Sequence, residues 1–271
     1  MSAAIIDGRA VAATIESELQ ARVARLGSAP RLAVVQVGND PASTSYIRAK
    51  SRAAERVGVE LTHHHLPANI PLGELEALVE RLNSSEHGII IQLPLPDGLE
   101  PALARIAPAR DVDGFHPENL GKLLRGEPGL RPCTPAGIME LLERSGHSPA
   151  GKHAVIVGRS NIVGKPLAVM LIQANATVTV CHTATAELAH HTRQAELLIV
   201  AAGQPDTVAP EMVRPGATVV DVGVNRTAAG FVGDCAPGVA EVAGALTPVP
   251  GGVGPMTVTM LMANTVAAQA D

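Results

Sequence analysis

Aromatic residues are almost missing from this 271-residue chain, which has no tryptophan, one tyrosine (Tyr46) and two phenylalanines (Phe115 and Phe231). That excludes a surface built on base stacking. A formal net charge of −5 withholds the basic face that a phosphate backbone requires, so nucleic acid is not an expected partner. The three cysteines, Cys133, Cys181 and Cys235, lie far apart with no C-x-x-C pairing. They make neither a disulfide framework nor a zinc site, and they suit a reducing compartment. No apolar run approaches the ~18 residues of a membrane span, and no basic-then-apolar leader opens the sequence. A cytoplasmic protein without a membrane partner is expected. Lysine is rare as well: Lys50, Lys122, Lys152 and Lys165 stand against seventeen arginines, so each lysine asks for a reason.

Apolar residues are plentiful, at 46% of the chain against 17% charged. That is enough for a full core and excludes disorder by composition. Val11, Ile15, Leu19, Val23 and Leu26 recur at helical spacing, with Gly27 as a stop. The run RLAVVQVG (31–38) reads as a buried strand, 41–58 as a helix closed by Gly58, 59–66 as a strand, 72–85 as a helix and GIIIQ (88–92) as a strand. LPLPDG (93–98) then breaks the pattern. A second series begins near residue 150, with strands at 153–158, 177–182, 197–203 and 218–225 and a helix at 161–175. This alternation implies parallel sheets covered by helices, and the second series has the pattern of a doubly wound nucleotide-binding fold. TPVPGGVGPMT (247–257) is a Pro/Gly loop, and an apolar helix follows at about 256–269.

The loop after strand 153–158 runs Gly158-Arg159-Ser160-Asn161-Ile162-Val163-Gly164-Lys165-Pro166. It sits where a dinucleotide pyrophosphate is expected, at a strand end and a helix start. Ser160 replaces the second glycine of G-x-G-x-x-G, and Pro166 stands where a Walker A loop needs Ser or Thr. An NAD site places an acid about 20 residues on, at the tip of the second strand. Here that tip is Cys181-His182-Thr183, and no acid occurs between Gly158 and Glu187. Arg159 is available to a 2′-phosphate, so NADP is expected over NAD.

Tyr46 and Lys50 are four apart on a predicted helix and share a face. A lysine doing acid–base work must be pulled below its ordinary pKa, chiefly by burial. Tyr46 could hydrogen-bond it and flank a flat substrate. Gln92 ends a buried strand at its carboxyl edge and could orient the amine without adding charge. Asp111 and Asp113 share a side if their segment is extended, and either could accept hydrogen bonds from a nitrogen-rich ring. A tyrosine-x-x-x-lysine pair also marks short-chain dehydrogenases. There it follows the nucleotide loop, whereas here it precedes it by more than a hundred residues. The runs His63-His64-His65 and His190-His191 lack acidic or cysteine partners at ligand spacing, so no metal is expected.

Eight segments in order, PASTSYIRAK (41–50), GIIIQLPLP (88–96), DVDGFHPENLGKL (111–123), PCTPAG (132–137), GRSNIVGKP (158–166), CHT (181–183), DVGVN (221–225) and TPVPGGVGPMT (247–257), resemble the bifunctional methylenetetrahydrofolate dehydrogenase/cyclohydrolase family. The resemblance implies an α/β fold of two domains around a cleft, the second Rossmann-like, and a homodimer. It places a folate-binding catalytic domain at 1–134 plus 257–271, so that the C-terminal helix returns to it, and an NADP-binding domain at 135–256. It implies NADP-dependent oxidation of 5,10-methylenetetrahydrofolate and hydrolysis of the methenyl product to 10-formyltetrahydrofolate. By the same resemblance Lys50 is the general acid/base, aligned by Tyr46 and tuned by Gln92, and Asp113 holds the pterin. Pro250, Gly251, Gly252 and Gly254 belong to the substrate loop, and Gly158, Arg159, Ser160, Gly164, His182, Thr183 and Val224 to the cofactor set. Thr183 stands where the family usually has serine, Ala184 where lysine is frequent and Cys235 where valine is usual. A shikimate dehydrogenase-like oxidoreductase and a non-catalytic NADP-binding regulator are the alternatives; the first lacks QLPLP and PVPGGVGPMT.

Overall fold

Short β-branched runs that are apolar on both sides cannot face water, so they pair side by side under helices. The computed structural model describes residues 2–228 and 230–270 and shows this arrangement in two sheets. The first half of the chain forms β1 (Ala4–Ile5), α1 (Gly8–Val23), β2 (Arg31–Val37), α2 (Pro41–Val57), β3 (Glu60–Leu66), α3 (Leu72–Ser85), β4 (Gly88–Ile91), α4 (Pro117–Arg125) and α5 (Cys133–Arg144). The second half forms β5 (His153–Val157), α6 (Gly164–Gln173), β6 (Thr177–Cys181), α7 (Leu188–Thr192), β7 (Leu197–Val200), β8 (Thr218–Asp221), β9 (Asn225–Thr227), β10 (Gly230–Val232), α8 (Val239–Val242), β11 (Ala245–Leu246) and α9 (Val253–Ala270).

The chain divides into two compact units, Thr14–Cys133 with Val258–Asp271, and Met1–Ala13 with Thr134–Thr257. The first holds a three-stranded parallel sheet in the order β3-β2-β4. Its central strand is in register at Val34↔His63 and Val34↔Ile90. Val35, Ile89 and Ile91 pack against the stripe Leu75, Val79 and Leu82 of α3, which recurs at helical spacing. A ladder bridge from Ile89 to Asp111 extends the sheet edge toward residues 111–114. α2 is set by its ends: the Asp40 carboxylate accepts from Ser43 N at 2.7 Å, and Gly58 closes the helix at φ 89°. Glu16 of α1 binds Arg56 of α2 through two hydrogen bonds of 2.6 and 2.8 Å and accepts from Thr259 of α9 at 3.1 Å.

The second unit holds a six-stranded sheet, ordered β1-β11-β8-β7-β5-β6, in which every pairing is parallel. β7 and β8 are buried along their whole length. The sequence boundary put the opening residues in the first domain. The structure instead pairs Ala4 with Ala245 and Ile5 with Leu246, so β1 is the edge strand of the six-stranded sheet and takes residues up to Ala13 with it. A two-residue strand carries no periodicity of its own; only its ladder partner defines it. The antiparallel hairpin β9–β10 likewise has no counterpart in the sequence pattern.

Candidate active site

The inward stripe of α2 is Ser43, Ile47, Lys50, Ala54 and Val57, spaced by four, three, four and three residues. Four of these are buried, so Lys50 occupies a core position of an amphipathic helix. Its Nζ donates to Gln92 Oε1 at 2.8 Å. Gln92 follows β4 directly and continues its ladder through Gln92 N to the Val35 carbonyl, at 2.8 Å. The Gln92 Nε2 donates to the Leu93 carbonyl at 2.8 Å, and Ser43 Oγ reaches the same carbonyl at 3.4 Å. This fixes which end of the amide faces the lysine. A neutral acceptor there holds the ammonium or the amine without supplying a counter-charge.

Burial holds the Lys50 ammonium below the ordinary lysine range, partly opposed by the negative charge of Asp113. Burial likewise raises Asp113, partly opposed by Lys50. The thiol of Cys133 beside them is pushed well above the ordinary cysteine range, again chiefly by burial, so it is a proton-bearing donor and not a thiolate. The two candidate carboxylates separate cleanly. Asp111 is buried and committed: its Oδ2 accepts from His116 N at 2.7 Å and from Asn119 Nδ2 at 2.9 Å. The Asp113 carboxylate accepts no hydrogen bond among the described residues. Its loop turns at Gly114, φ 78°, where a Cβ would stand 2.4 Å from the Arg131 carbonyl carbon. Tyr46 does not bond Lys50; its ring is 47% exposed on the flank of the stripe.

The nucleotide candidates gather at the carboxyl ends of parallel strands, where open α/β sheets bind ligands. Gly158 follows β5, His182 follows β6 and Val224 lies just beyond β8. A Cβ on Gly164 would lie 2.2 Å from the Gly158 carbonyl oxygen, and one on Gly158 would lie 2.3 Å from that of Ala201. Both glycines therefore allow α6 and the strand ends to approach closely, as the glycines of a dinucleotide loop do. Ser160 serves the turn itself: its Oγ accepts from Val163 N at 3.1 Å and Gly164 N at 3.3 Å. Arg159 and Thr183 are exposed, and Arg159 pairs with no acid among the described residues. His182 caps its own turn, accepting at Nδ1 from Ala184 N at 3.2 Å. An exposed loop leading into a helix start, an exposed guanidinium and the lack of an acid at the second strand tip fit a phosphorylated dinucleotide.

The loop before α9 is tied to the N-terminus. Gly251 O accepts from Arg9 N at 3.1 Å, and a Cβ on Gly8 would lie 1.9 Å from Gly252 O. A Cβ on Gly252 would itself lie 2.7 Å from the Pro248 carbonyl oxygen, so packing accounts for that glycine. Gly254 is exposed, and a Cβ there would meet nothing within 4 Å, so packing gives no reason for a glycine at that position. Pro250 follows a cis peptide.

Sequence reasoning missed the carboxylates that organise the second unit. Asp234 accepts from Ala202 N (2.7 Å), Gly203 N (2.8 Å) and Asn225 Nδ2 (2.7 Å). Asp221 accepts from Gly223 N (3.0 Å), Asp234 N (2.9 Å) and Cys235 N (2.9 Å). Acids flanked by glycine near strand ends, as in DVGVN and GDC, were the available signal. His63 and His65 stack at 5.7 Å and are used by Gln36 Oε1 and the Gly38 carbonyl. Among the described residues no group of three or more His, Cys, Asp or Glu is placed to hold a metal, and no helix is long and apolar enough to cross a membrane.

Comparison with known proteins agrees with this geometry. The catalytic domain of tetrahydrofolate dehydrogenase/cyclohydrolase matches residues 6–113, and the NAD(P)-binding domain of the same family matches 132–271. The bifunctional protein FolD of Nitratidesulfovibrio vulgaris (strain DSM 19637 / Miyazaki F) is 55% identical over 97% of this chain and 96% of its own. The bifunctional FolD dehydrogenase/cyclohydrolase of Campylobacter jejuni superposes with a TM-score of 0.96 at 46% identity, over 99% of both chains. The Trypanosoma brucei enzyme, solved with NADP cofactor and inhibitor, superposes at 0.93 and 40% identity, over 99% of this chain and 97% of its own. Shikimate dehydrogenase from Thermus thermophilus reaches only 0.55 at 20% identity, over 89% of this chain and 98% of its own, a likeness of fold alone. The chain belongs to the tetrahydrofolate dehydrogenase/cyclohydrolase family.

Proposed function

We propose that this protein oxidises 5,10-methylenetetrahydrofolate with NADP and hydrolyses the resulting 5,10-methenyl cation to 10-formyltetrahydrofolate. The observation that carries the second step is the Lys50 amine. It is half-buried on a stripe of buried residues, held by Gln92 Oε1 at 2.8 Å, and lies near a carboxylate that no described residue hydrogen-bonds. Family membership of both units supports the first.

Oxidation needs little from acid–base groups, because the folate nitrogen lone pair expels hydride as the iminium forms; NADP, when bound, supplies the acceptor. The protein's part is to hold two ligands in reacting geometry. Gly158, Ser160, Gly164 and Val224 would line the dinucleotide, with Arg159, His182 and Thr183 toward its 2′-phosphate. Hydrolysis is different. Water adds to a cationic carbon, and its proton needs a base. Neutral Lys50 takes that proton as the carbon–oxygen bond forms, then returns it to the departing ring nitrogen as the carbon–nitrogen bond breaks, while the remaining hydroxyl proton leaves to solvent as the formyl carbonyl forms. A cationic substrate would lower the lysine further, as burial already does. Asp113 holds the pterin's nitrogen-bearing edge, Tyr46 flanks its face, and Pro250, Gly251, Gly252 and Gly254 border the substrate. The protein acts as a homodimer in the cytoplasm, a state that sedimentation at micromolar concentration would report.

The test is Lys50→Met, assayed with methylenetetrahydrofolate and NADP for reduced cofactor and for methenyl breakdown. Hydrolysis is expected to fall by about two to four orders of magnitude, with oxidation far less affected. Equal loss of both in a folded variant would remove Lys50 from this role.

A further inference from the structure

Asn264 is the one amide in the middle of α9, among Leu261, Met262, Thr265 and Val266, all of them buried. Such an amide must find partners, and it finds them on two separate backbone segments. Its Nδ2 donates to the Val112 carbonyl at 2.8 Å and to the Arg131 carbonyl at 2.9 Å, and it lies 3.5 Å from Cys133 Sγ. Cys133 acts on the same carbonyl: its thiol donates to Val112 O at 3.1 Å, while its backbone N–H reaches the Asp113 carbonyl at 3.4 Å. Three donors thus converge on the two peptide groups that flank Asp113. Below them Val112 is fully buried over Gly88, where a Cβ would come within 2.8 Å of its side chain. The backbone of Asp113 is held on both sides, yet its carboxylate accepts nothing from the described residues.

We propose that Asn264, together with the Cys133 thiol, is a positioning residue that holds the Asp113 carboxylate at the folate ring beside Lys50. Neither side chain touches the ring or moves a proton; they set where the carboxylate points. This rests on Asp113 being the ring acceptor. A carboxylate that must meet two ring donors at once tolerates little displacement, so losing the clamp weakens folate binding more than overall folding.

The test is a double-mutant cycle on the full-length protein. Asn264→Ala is expected to raise the KM for methylenetetrahydrofolate about tenfold, with NADP affinity within about twofold of wild type. In an Asp113→Asn background the same change should add little, because its route of action is already gone. Cys133→Ala should raise the folate KM in the same direction, and Cys133→Ser, which keeps a donor, should restore it. If Asn264→Ala does not fold, the Cys133 pair run in both backgrounds decides. Full additivity, or a folate KM that neither variant moves, overturns the proposal. Failure of the underlying assignment looks different: Asp113→Asn alone would then leave the folate KM unchanged.

Discussion

Lys50 and Asp113 hold each other's protonation in opposite directions. Burial lowers the lysine and raises the acid, and each charge draws the other back toward its ordinary value. In Asp113→Asn the negative charge that raises Lys50 is gone, so Lys50 should lose its proton at lower pH. The limb of methenyl-hydrolysis kcat that rises with pH should therefore move to the acid side; a pH–rate profile checks this, and an alkaline move contradicts it. The same burial has a stability sign. The folded Lys50 titrates below 10.5, so between its folded pKa and that value the unfolded chain binds more protons, and stability from this group rises with pH. Lys50→Met removes the buried amine and should raise Tm at neutral pH while hydrolysis is lost, a trade of stability against function that calorimetry would show. Arg159→Ala should lower the kcat/KM preference for NADP over NAD by about tenfold or more, the value of a charge-assisted hydrogen bond. An unmoved ratio would take Arg159 away from the 2′-phosphate. The sequence singled these residues out as candidates by composition and context: a scarce lysine four residues from the only tyrosine, and an arginine in the loop of a site whose second strand tip lacks the usual acid. The residue pattern alone left Asp111 and Asp113 open, since both alternate on one side, and the family resemblance pointed to Asp113. Only His116 N and Asn119 Nδ2, five and eight residues on, show that Asp111 is occupied.

At the scale of elements, long strands and helices followed from pattern, and short ones from partners. RLAVVQV and LLIV could be nothing but buried parallel strands, and α2 showed its stop at Gly58. α4 and α5 had no counterpart in the sequence pattern, because proline and glycine around them obscure the helical period. The β9–β10 hairpin depends on Asp234, which ties the turn after β7 to Asn225 at the start of β9. Asp234 is fully buried, so Asp234→Ala would leave Ala202 N and Gly203 N without partners and Asn225 Nδ2 with the Gly233 carbonyl alone. At roughly 1–3 kcal/mol for each buried group left unmade, the variant should lose about 3 kcal/mol or more, read as a lower urea midpoint. Asp234→Asn keeps one acceptor oxygen and should lose less. Both changes should weaken dinucleotide binding more than folate binding, since the turns they loosen carry Ala202 and Val224.

Neither compact unit is one continuous stretch of chain. The unit with the six-stranded sheet needs the first residues for its edge strand, and the unit with Lys50 needs the last ones: Leu261, Met262 and Val266 of α9 are buried in it, Thr259 completes the Glu16–Arg56 cluster and Asn264 clamps residue 112. An apolar C-terminal helix was legible from MTVTMLMANTVAA, and family resemblance gave its return to the first domain. Its polar anchors were not, because their partners lie from 131 to 243 residues away in sequence. Ending the chain after Thr257 is therefore a sharp test of the division. Every strand of the six-stranded sheet remains, whereas the three-stranded sheet loses a core helix worth several buried side chains, each costing on the order of 2–5 kcal/mol when truncated. Hydrogen exchange should show amides of β5, β7 and β8 still protected and those of β2 and β4 exchanging at close to the unfolded rate, with methenyl hydrolysis abolished. Equal loss of protection in both sheets would mean that the two units fold as a single cooperative body and that α9 supports both.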